Sequence, residues 1–166
     1  HMLRGNCSSV TSVDSSTPAL QQLLYHAREN EIQMLLPEGS ADKITVVTDD
    51  CFSYLRSVKE DQYDMMILDP PKLAKTKGAL ENALKAYKDL NRVAMLKIRN
   101  GGIISTFSCS GALSREDFRM VLGWAAADAG VEIQILHSLS AGADHPVRLS
   151  FPESEYLKGF IIKVLK

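Results

Sequence analysis

The sequence predicts an α/β fold built on a mostly parallel sheet, with one antiparallel strand at the end. Short apolar segments rich in β-branched residues alternate with longer segments of helical periodicity, which is typical of such folds. Residues 63–68 are apolar nearly throughout, as expected for a strand that is buried on both faces. The last two strand patterns have no helical pattern between them, so the final strand is expected to run antiparallel to the one before it.

Six strands are predicted, and polar or turn residues follow most of them. Their positions are residues 10–13, 44–47, 63–68, 103–107, 131–136 and 159–165. The first helix is expected to begin with Thr17 as N-cap and Pro18 as its first residue, and to end before a break at residues 37–40. A short helix is predicted around residues 52–58.

Two longer helices complete the predicted framework. Apolar residues at helical spacing between positions 80 and 94 indicate a long amphipathic helix, which Gly101 and Gly102 are expected to end. Ser114 and Asp117 have the spacing of a capping box and begin the last helix. That helix is expected to run to about residue 129, with Gly130 as its C-terminal glycine.

Length and composition indicate one globular domain. The chain has 166 residues, of which 45% are hydrophobic and 23% charged, which excludes a disordered tail, a collagen-like chain and a coiled coil. No window approaches the roughly 18 consecutive apolar residues of a membrane span. Three cysteines are too few for a disulfide scaffold or a thiolate metal site, so no metal is predicted and a reducing compartment is expected. His1 and Met2 are interpreted as a cloning remnant and an initiator, and no signal peptide follows them.

The net charge of −1 hides a segregation of charge along the chain. Residues 72–99 contain eight basic and two acidic residues, a net charge of +6, whereas the remainder carries a net charge of −7. Lys72, Lys75 and Lys77 lie in a predicted loop before the long helix, where they can reach phosphates. The alternative is that the basic residues simply form a solvated helix face.

Polar residues follow four of the predicted strands, at the edge of the sheet where α/β proteins bind their ligands. Asp14 can accept hydrogen bonds from a ribose, or it can be a helix-terminal acid that stabilises the helix dipole. Asp50 can accept from an exocyclic amine such as that of adenine, or it can be an ordinary N-cap. Cys51 and Phe52 follow it directly, and Phe52 supplies an apolar wall.

Asp69, Pro70 and Pro71 form a more specific signal, because two prolines remove two backbone donors and hold the chain extended. Such a segment suits a carboxylate held against a flat substrate, and the alternative is a simple turn. In several nucleic-acid methyltransferases, an acid or Asn followed by two prolines and an aromatic residue grips a base amine. Lys72 stands there in this sequence, so amino-group methylation is less favoured.

A cysteine lies in the polar loop after the fourth strand. Cys109, between Ser108 and Ser110, can act as a thiolate that adds to carbon 6 of a pyrimidine. Its alternative is the common one of a small hydrophobic residue. His145 lies in a further polar loop, where it can contact substrate or cap a turn.

Taken in order, these segments resemble the class I S-adenosylmethionine-dependent RNA methyltransferases, and most closely the family that makes 5-methylcytosine in large-subunit ribosomal RNA. The resemblance covers nearly the whole chain. It rests on VDSS (13–16), DDCF (49–52), DMMILDPPK (64–72), AYKDLN (86–91), GG (101–102), TFSCS (106–110), ADHP (143–146) and YLKG (156–159).

The resemblance implies a Rossmann-like fold, S-adenosylmethionine as cofactor, and RNA, specifically ribosomal RNA, as substrate. It implies catalytic roles for Cys109 as nucleophile and for Asp69 beside the target base. The residues expected to bind the cofactor are Asp14, Ser15, Asp50, Cys51 and Asp69. Those expected to bind substrate are Pro70, Pro71, Lys72, Lys75, Lys77, Ser108, Ser110 and His145. The implied location is the cytoplasm, or an organelle with its own ribosomes.

One departure from the family concerns the beginning of the domain. The family's catalytic domain opens with a central strand and a glycine-containing loop around the cofactor, and neither is found before Val10. We therefore expect an N-terminally truncated, incomplete domain with an open seam between residues 10–13 and 63–68. Direct pairing of these strands, residues near Leu3 or a homodimer would close that seam. The alternative function is a non-catalytic remnant that binds RNA or a protein.

Overall fold

The chain divides into two units, and the boundary between them falls after Ser57. The computed structural model describes residues 7–30, 44–74 and 77–166, with the side chain of Lys77 excepted. The predicted break at residues 37–40, the region of Leu3 and the candidate Lys75 lie outside the described residues. Within the described part, no helix is long and apolar enough to cross a membrane.

The first unit is a pair of parallel strands with a helix after each. Its elements are β1 (Val10–Asp14), α1 (Thr17–Glu29), β2 (Ile44–Thr48) and α2 (Cys51–Ser57). The register runs from Val10 opposite Ile44 to Asp14 opposite Thr48. This parallel register places the turns that follow β1 and β2 at the same edge of the pair.

The second unit contains a four-stranded mixed sheet in the order β3-β4-β6-β5. Its elements are β3 (Tyr63–Leu68), α3 (Leu80–Lys97), β4 (Ile98–Ser108), α4 (Arg115–Ala129), β5 (Glu132–Leu139) and β6 (Lys158–Leu165). β3 and β4 are parallel, whereas β6 runs antiparallel to both β4 and β5. The predicted antiparallel final strand is confirmed, and so is the α/β fold class.

A cluster of buried aromatic side chains packs α3 and α4 against the four-stranded sheet. Tyr87 of α3 meets Phe118 of α4 edge to face at 5.4 Å between ring centroids, and Phe118 lies 5.8 Å from Phe160 of β6. All three side chains are buried. Edge-to-face contacts of this kind add to the stabilisation that each ring gains from burial.

The expectation that residues 63–68 are buried on both faces is wrong. Met66 and Leu68 are buried, but Met65 is 38% and Ile67 is 52% exposed. The cause is the strand order, because the crossovers from β3 to β4 and from β4 to β5 lead in the same direction across the sheet. Right-handed crossovers in one direction place both helices on one face of the sheet.

Two predicted boundaries differ from the structure. Ser16, not Thr17, is the N-cap of α1, and its Oγ accepts a hydrogen bond from the Ala19 amide at 3.3 Å. β4 begins at Ile98, directly after α3, so Gly101 and Gly102 lie within the strand rather than ending the helix. The register of β3 against β4 shifts at this point, and Gly101 has a φ of 76°, which favours glycine.

The capping signals of α4 are confirmed. The Asp117 amide donates to Ser114 Oγ at 3.0 Å, and the Asp117 carboxylate accepts from the Ser114 amide, which completes a capping box. At the other end Gly130 takes the left-handed conformation, with φ of 67° and ψ of 32°.

Candidate active site

The Asp-Pro-Pro segment and the Cys109 loop are neighbours in the second unit. Leu68 at the end of β3 lies opposite Thr106 of β4, so both strands lead out at the same edge of the sheet. Beyond them the Ala74 amide donates a hydrogen bond to Ser110 Oγ at 3.1 Å. The structure therefore joins two segments that the sequence singled out separately.

Within this pair of segments, two candidate side chains are open to solvent. Cys109 is partly exposed, between two fully buried serines. Asp69 is exposed, and in the described part of the chain its carboxylate has no hydrogen-bond partner. Pro70 is buried and Pro71 exposed, so the first proline anchors the segment that presents Asp69.

The hydroxyl of Tyr87 contacts both serines of the Cys109 loop on its buried side. Ser108 Oγ donates to Tyr87 Oη at 2.9 Å, and Tyr87 Oη lies 3.2 Å from Ser110 Oγ. Ser108 and Ser110, which were expected to bind substrate, thus direct their hydroxyls into the protein interior. Both are fully buried there, and what the loop presents outward is Cys109.

Lys158 holds the same loop from β6, opposite Ser108 in the strand register. Its Nζ donates to the carbonyl oxygens of Ser110, at 2.7 Å, and of Leu113. Burial and the nearby Arg115 guanidinium lower the pKa of Lys158, and the neighbouring Asp117 and Cys109 side chains oppose that change.

The roles of Tyr87 and Lys158 were missed by sequence reasoning, although both lie in motifs that it quoted. Its helical spacing predicts for Tyr87 only a place on an amphipathic helix. Lys158 immediately precedes the apolar run of β6, and a lysine at the start of a buried strand is a signal that could have identified it.

In the first unit, the two candidate aspartates each accept a hydrogen bond within their own turn. Asp14 Oδ1 accepts from the Ser16 amide at 2.7 Å, and Asp50 Oδ1 accepts from the Ser53 amide at 2.9 Å. The Asp50 contact is the N-capping geometry that the sequence offered as its alternative. Both carboxylates are exposed, so each still has acceptor capacity for a ligand.

The two aspartate turns of this unit are close to each other. The Asp49 amide donates to the Asp14 carbonyl at 3.2 Å. Burial raises the pKa of the Cys51 thiol, and the charges of Asp50 and, more weakly, Asp14 raise it further. Ser15 is exposed beside them. The first unit thus gathers four of the predicted cofactor residues.

Several cations of the basic segment are engaged in ion pairs. Lys85 pairs with Glu81, Lys88 with Asp128, Arg92 with Asp89 and Arg99 with Asp64, at 2.7–2.9 Å. This supports the solvated-face alternative for much of the helix. Lys72 is exposed in the chain just after the prolines, so it remains a candidate for phosphate contact.

His145 lies in the loop between β5 and β6, which leads into Lys158 at the Ser108 edge of the sheet. Its Nδ1 is 3.2 Å from Asp144 Oδ2, and both side chains are exposed. The hydrogen bond from His145 lowers the pKa of Asp144. Among the described residues, no group of three or more His, Cys, Asp or Glu side chains forms a metal site.

Comparison with known proteins yields close relatives, although no family model matches the chain. It is 41% identical over 166 residues to Ribosomal RNA large subunit methyltransferase I of Pseudoalteromonas translucida, covering 99% of this chain. It is 37% identical over 165 residues to the protein of that name from Escherichia coli. The chain spans only 40% of the length of these relatives.

Solved structures of methyltransferases share the fold. SMU.776 complexed with SAH matches 96% of this chain and 40% of its own, with a TM-score of 0.75 and 22% identity. The N-methyltransferase NodS from Bradyrhizobium japonicum matches 99% of this chain and 78% of its own, with a TM-score of 0.60 and 9% identity. The predicted Rossmann-like methyltransferase fold and the resemblance to ribosomal RNA methyltransferases are both confirmed.

Proposed function

We propose that this chain is the catalytic portion of an S-adenosylmethionine-dependent methyltransferase that modifies carbon 5 of cytosine in ribosomal RNA. The observation that carries the proposal is the partly exposed Cys109, fixed between two buried serines and tied to the segment after Asp69. A cysteine presented in this way is available as a nucleophile rather than as core packing. The cytoplasm, where ribosomal RNA is made and modified in bacteria, is the location that goes with this function.

The residues of the first unit have the chemistry that the cofactor requires. A ribose offers hydroxyl donors and adenine offers an amine, and Asp14 and Asp50 are exposed acceptors with one oxygen each held by a backbone amide. These amides fix the orientation of the carboxylates before a ligand arrives. When bound, S-adenosylmethionine would supply the methyl group.

Cys109 begins the proposed reaction by forming a bond from its sulfur to carbon 6 of the cytosine. The electron pair displaced from the ring double bond makes carbon 5 nucleophilic. Carbon 5 would then take the methyl group, and the electron pair of the broken carbon–sulfur bond would stay on the cofactor's sulfur. A base removes the proton from carbon 5, the double bond returns, and the bond between sulfur and carbon 6 breaks. Asp69, which is exposed at the neighbouring strand end, is placed in this proposal beside the target base.

The target cytosine must be reached outside a base stack, because a thiol cannot approach carbon 6 within a continuous helix. Lys72 and, by sequence alone, Lys75 and Lys77 would contact the phosphates around that base, and His145 the substrate at the edge of the site. Phosphate contacts of this kind supply affinity but little sequence discrimination.

The experiment is methyl transfer by the full-length protein to large-subunit ribosomal RNA transcribed in vitro, with labelled S-adenosylmethionine. Cys109→Ala is expected to reduce the rate by about a thousandfold or more, because it removes the nucleophile. Cys7→Ala is the matched control and should retain the wild-type rate. Titration calorimetry should show that Cys109→Ala still binds the cofactor as tightly as the wild type.

Two results would contradict the proposal. Wild-type rates from Cys109→Ala would remove the nucleophile from its role. Failure of the wild-type full-length protein to bind S-adenosylmethionine would favour the non-catalytic alternative.

A homodimer is a further proposal, and the exposed face of β3 supports it. Met65 and Ile67 are exposed apolar residues on an edge strand that pairs only with β4 among the described residues. Exposed edges of this kind invite pairing with another chain. Sedimentation equilibrium of the 166-residue chain itself would report a monomer if the proposal is wrong.

A further inference from the structure

We propose that Lys158 is a positioning residue for the nucleophile, because it anchors the loop that carries Cys109 and brings a buried positive charge to that loop. Its meaning for catalysis rests on the proposed function. The physical claim concerns only the loop and the reactivity of Cys109, so it can be tested without RNA or cofactor.

The hydrogen bonds of Lys158 reach both ends of the turn that follows Cys109. Its Nζ donates to the carbonyl oxygens of Ser110 and Leu113, and the Leu113 amide itself donates to the Ser110 carbonyl at 3.1 Å. A single ammonium therefore closes the turn from the side of β6. Ser110, directly after the nucleophile, is the residue that both the lysine and Tyr87 hold.

Lys158 is an unusual residue to bury at this position. It is only 6% exposed, and in the part of the chain that the structure describes no carboxylate lies within ion-pair distance of its Nζ. A buried charge without a countercharge costs folding free energy, and two carbonyl acceptors offset only part of that cost. An uncharged residue would close the turn at a lower cost in folding free energy. This argues that the positive charge of Lys158 itself has a function.

The charges around Lys158 indicate what that use is. Arg115 and Asp117, from the first turn of α4, and the Cys109 thiol are the charged or titratable groups that act on its ammonium. Asp117 is already engaged in the capping box with Ser114. Cys109 therefore remains the group that gains most, because a nearby cation favours the thiolate over the thiol.

The experiment measures the rate at which iodoacetamide alkylates Cys109 across a pH series, read at that site by mass spectrometry of digested protein. Lys158→Met and Lys158→Gln both remove the charge, whereas Lys158→Arg keeps it. We expect the two uncharged variants to react about three- to tenfold more slowly near neutral pH, because a nearby cation favours the reactive thiolate. Lys158→Arg should stay within about twofold of the wild type.

Lys163→Met is the matched control, because this lysine lies on the same strand, opposite Ile103 and away from the loop. It should alkylate at the wild-type rate. The proposal is overturned if the Met and Gln variants match the wild type. It is also overturned if the Arg variant is as slow as they are, since the loss would then come from disturbed packing and not from charge.

A measurement on the wild type covers the case in which the uncharged variants do not fold. Cys109 and Cys51 are both partly exposed, but burial and the charge of Asp50 raise the pKa of Cys51. Cys109 should therefore be alkylated faster than Cys51 in the same sample, and an equal or slower rate would overturn the proposal.

Methyl transfer distinguishes this proposal from the proposed function. Slower alkylation in the uncharged variants, together with a Cys109→Ala protein that still methylates RNA, would leave Lys158 in its role and remove Cys109 from the mechanism.

Discussion

The aspartate turns of the first unit and the cysteine loop of the second are built in opposite ways. Asp14 and Asp50 accept hydrogen bonds from amides only two and three residues further along the chain. The serines on either side of Cys109 depend on partners 21 to 48 residues away, drawn from α3, from the chain after the prolines and from β6. One region is held by its local sequence, and the other is held by the packed core.

This difference indicates how each region should respond to change. A turn held by its own amides should tolerate loss of distant packing, since its geometry is set within a few residues. A loop held by Tyr87 and Lys158 inherits its geometry from the elements that carry them. The loop of Cys109, the candidate nucleophile, is thus preorganised by tertiary structure, as sites placed on rigid elements generally are.

The largest expected effect comes from breaking the core beneath the cysteine loop. Phe118 is fully buried and packs on Tyr87, so Phe118→Ala should lower the free energy of unfolding of the second unit by about 3–5 kcal/mol. Fluorescence of Trp124, the one tryptophan of the chain, reports on this unit during urea denaturation. Met120→Ala, on the exposed side of the same helix, should change the free energy of unfolding by less than about 0.5 kcal/mol. Equal effects of the two variants would contradict the core assignment.

A smaller effect is expected from removing one hydroxyl. Tyr87→Phe keeps the ring but leaves Ser108 Oγ buried without the acceptor at 2.9 Å, which should cost about 1–3 kcal/mol. Hydrogen exchange should quicken at the Ser110 amide, which donates to that serine. Tyr156→Phe, at an exposed tyrosine, is the control. If Tyr87→Phe were as stable as this control, the hydroxyl network would not hold the loop.

The smallest effect on stability is expected in the first unit, at the N-cap of α1. Ser16→Ala removes the cap of α1 and should destabilise that helix by about 1 kcal/mol, seen as faster hydrogen exchange in its first turn. Ser15→Ala, one residue earlier and outside the cap, is the comparison and should leave the exchange rates as they are. If Ser15→Ala destabilised α1 more than Ser16→Ala does, Ser16 would not be the N-cap.

The local features were the ones that the sequence predicted well. The capping box at Ser114 and the C-terminal Gly130 depend on residue types within one helical turn, and both are confirmed. The N-cap of α1 was placed one residue late, because Ser16 and Thr17 are both good caps and only the backbone conformation decides between them. The sequence predicts a helix end at Gly101 and Gly102, whereas they occupy an irregularity inside β4 that depends on pairing with β3.

Residue types and their order along the chain determined the α/β class, the antiparallel last strand and the resemblance to RNA methyltransferases, since each of these is written in local periodicity or in motif order. The order of the strands in the sheet does not follow from local sequence. It was the tertiary structure that placed β6 between β4 and β5, left Met65 and Ile67 exposed, and brought Lys158 and Tyr87 to the loop of Cys109. The reason is that a buried polar group takes whichever partner the packed fold brings within hydrogen-bond reach, and separation along the chain does not reveal that partner.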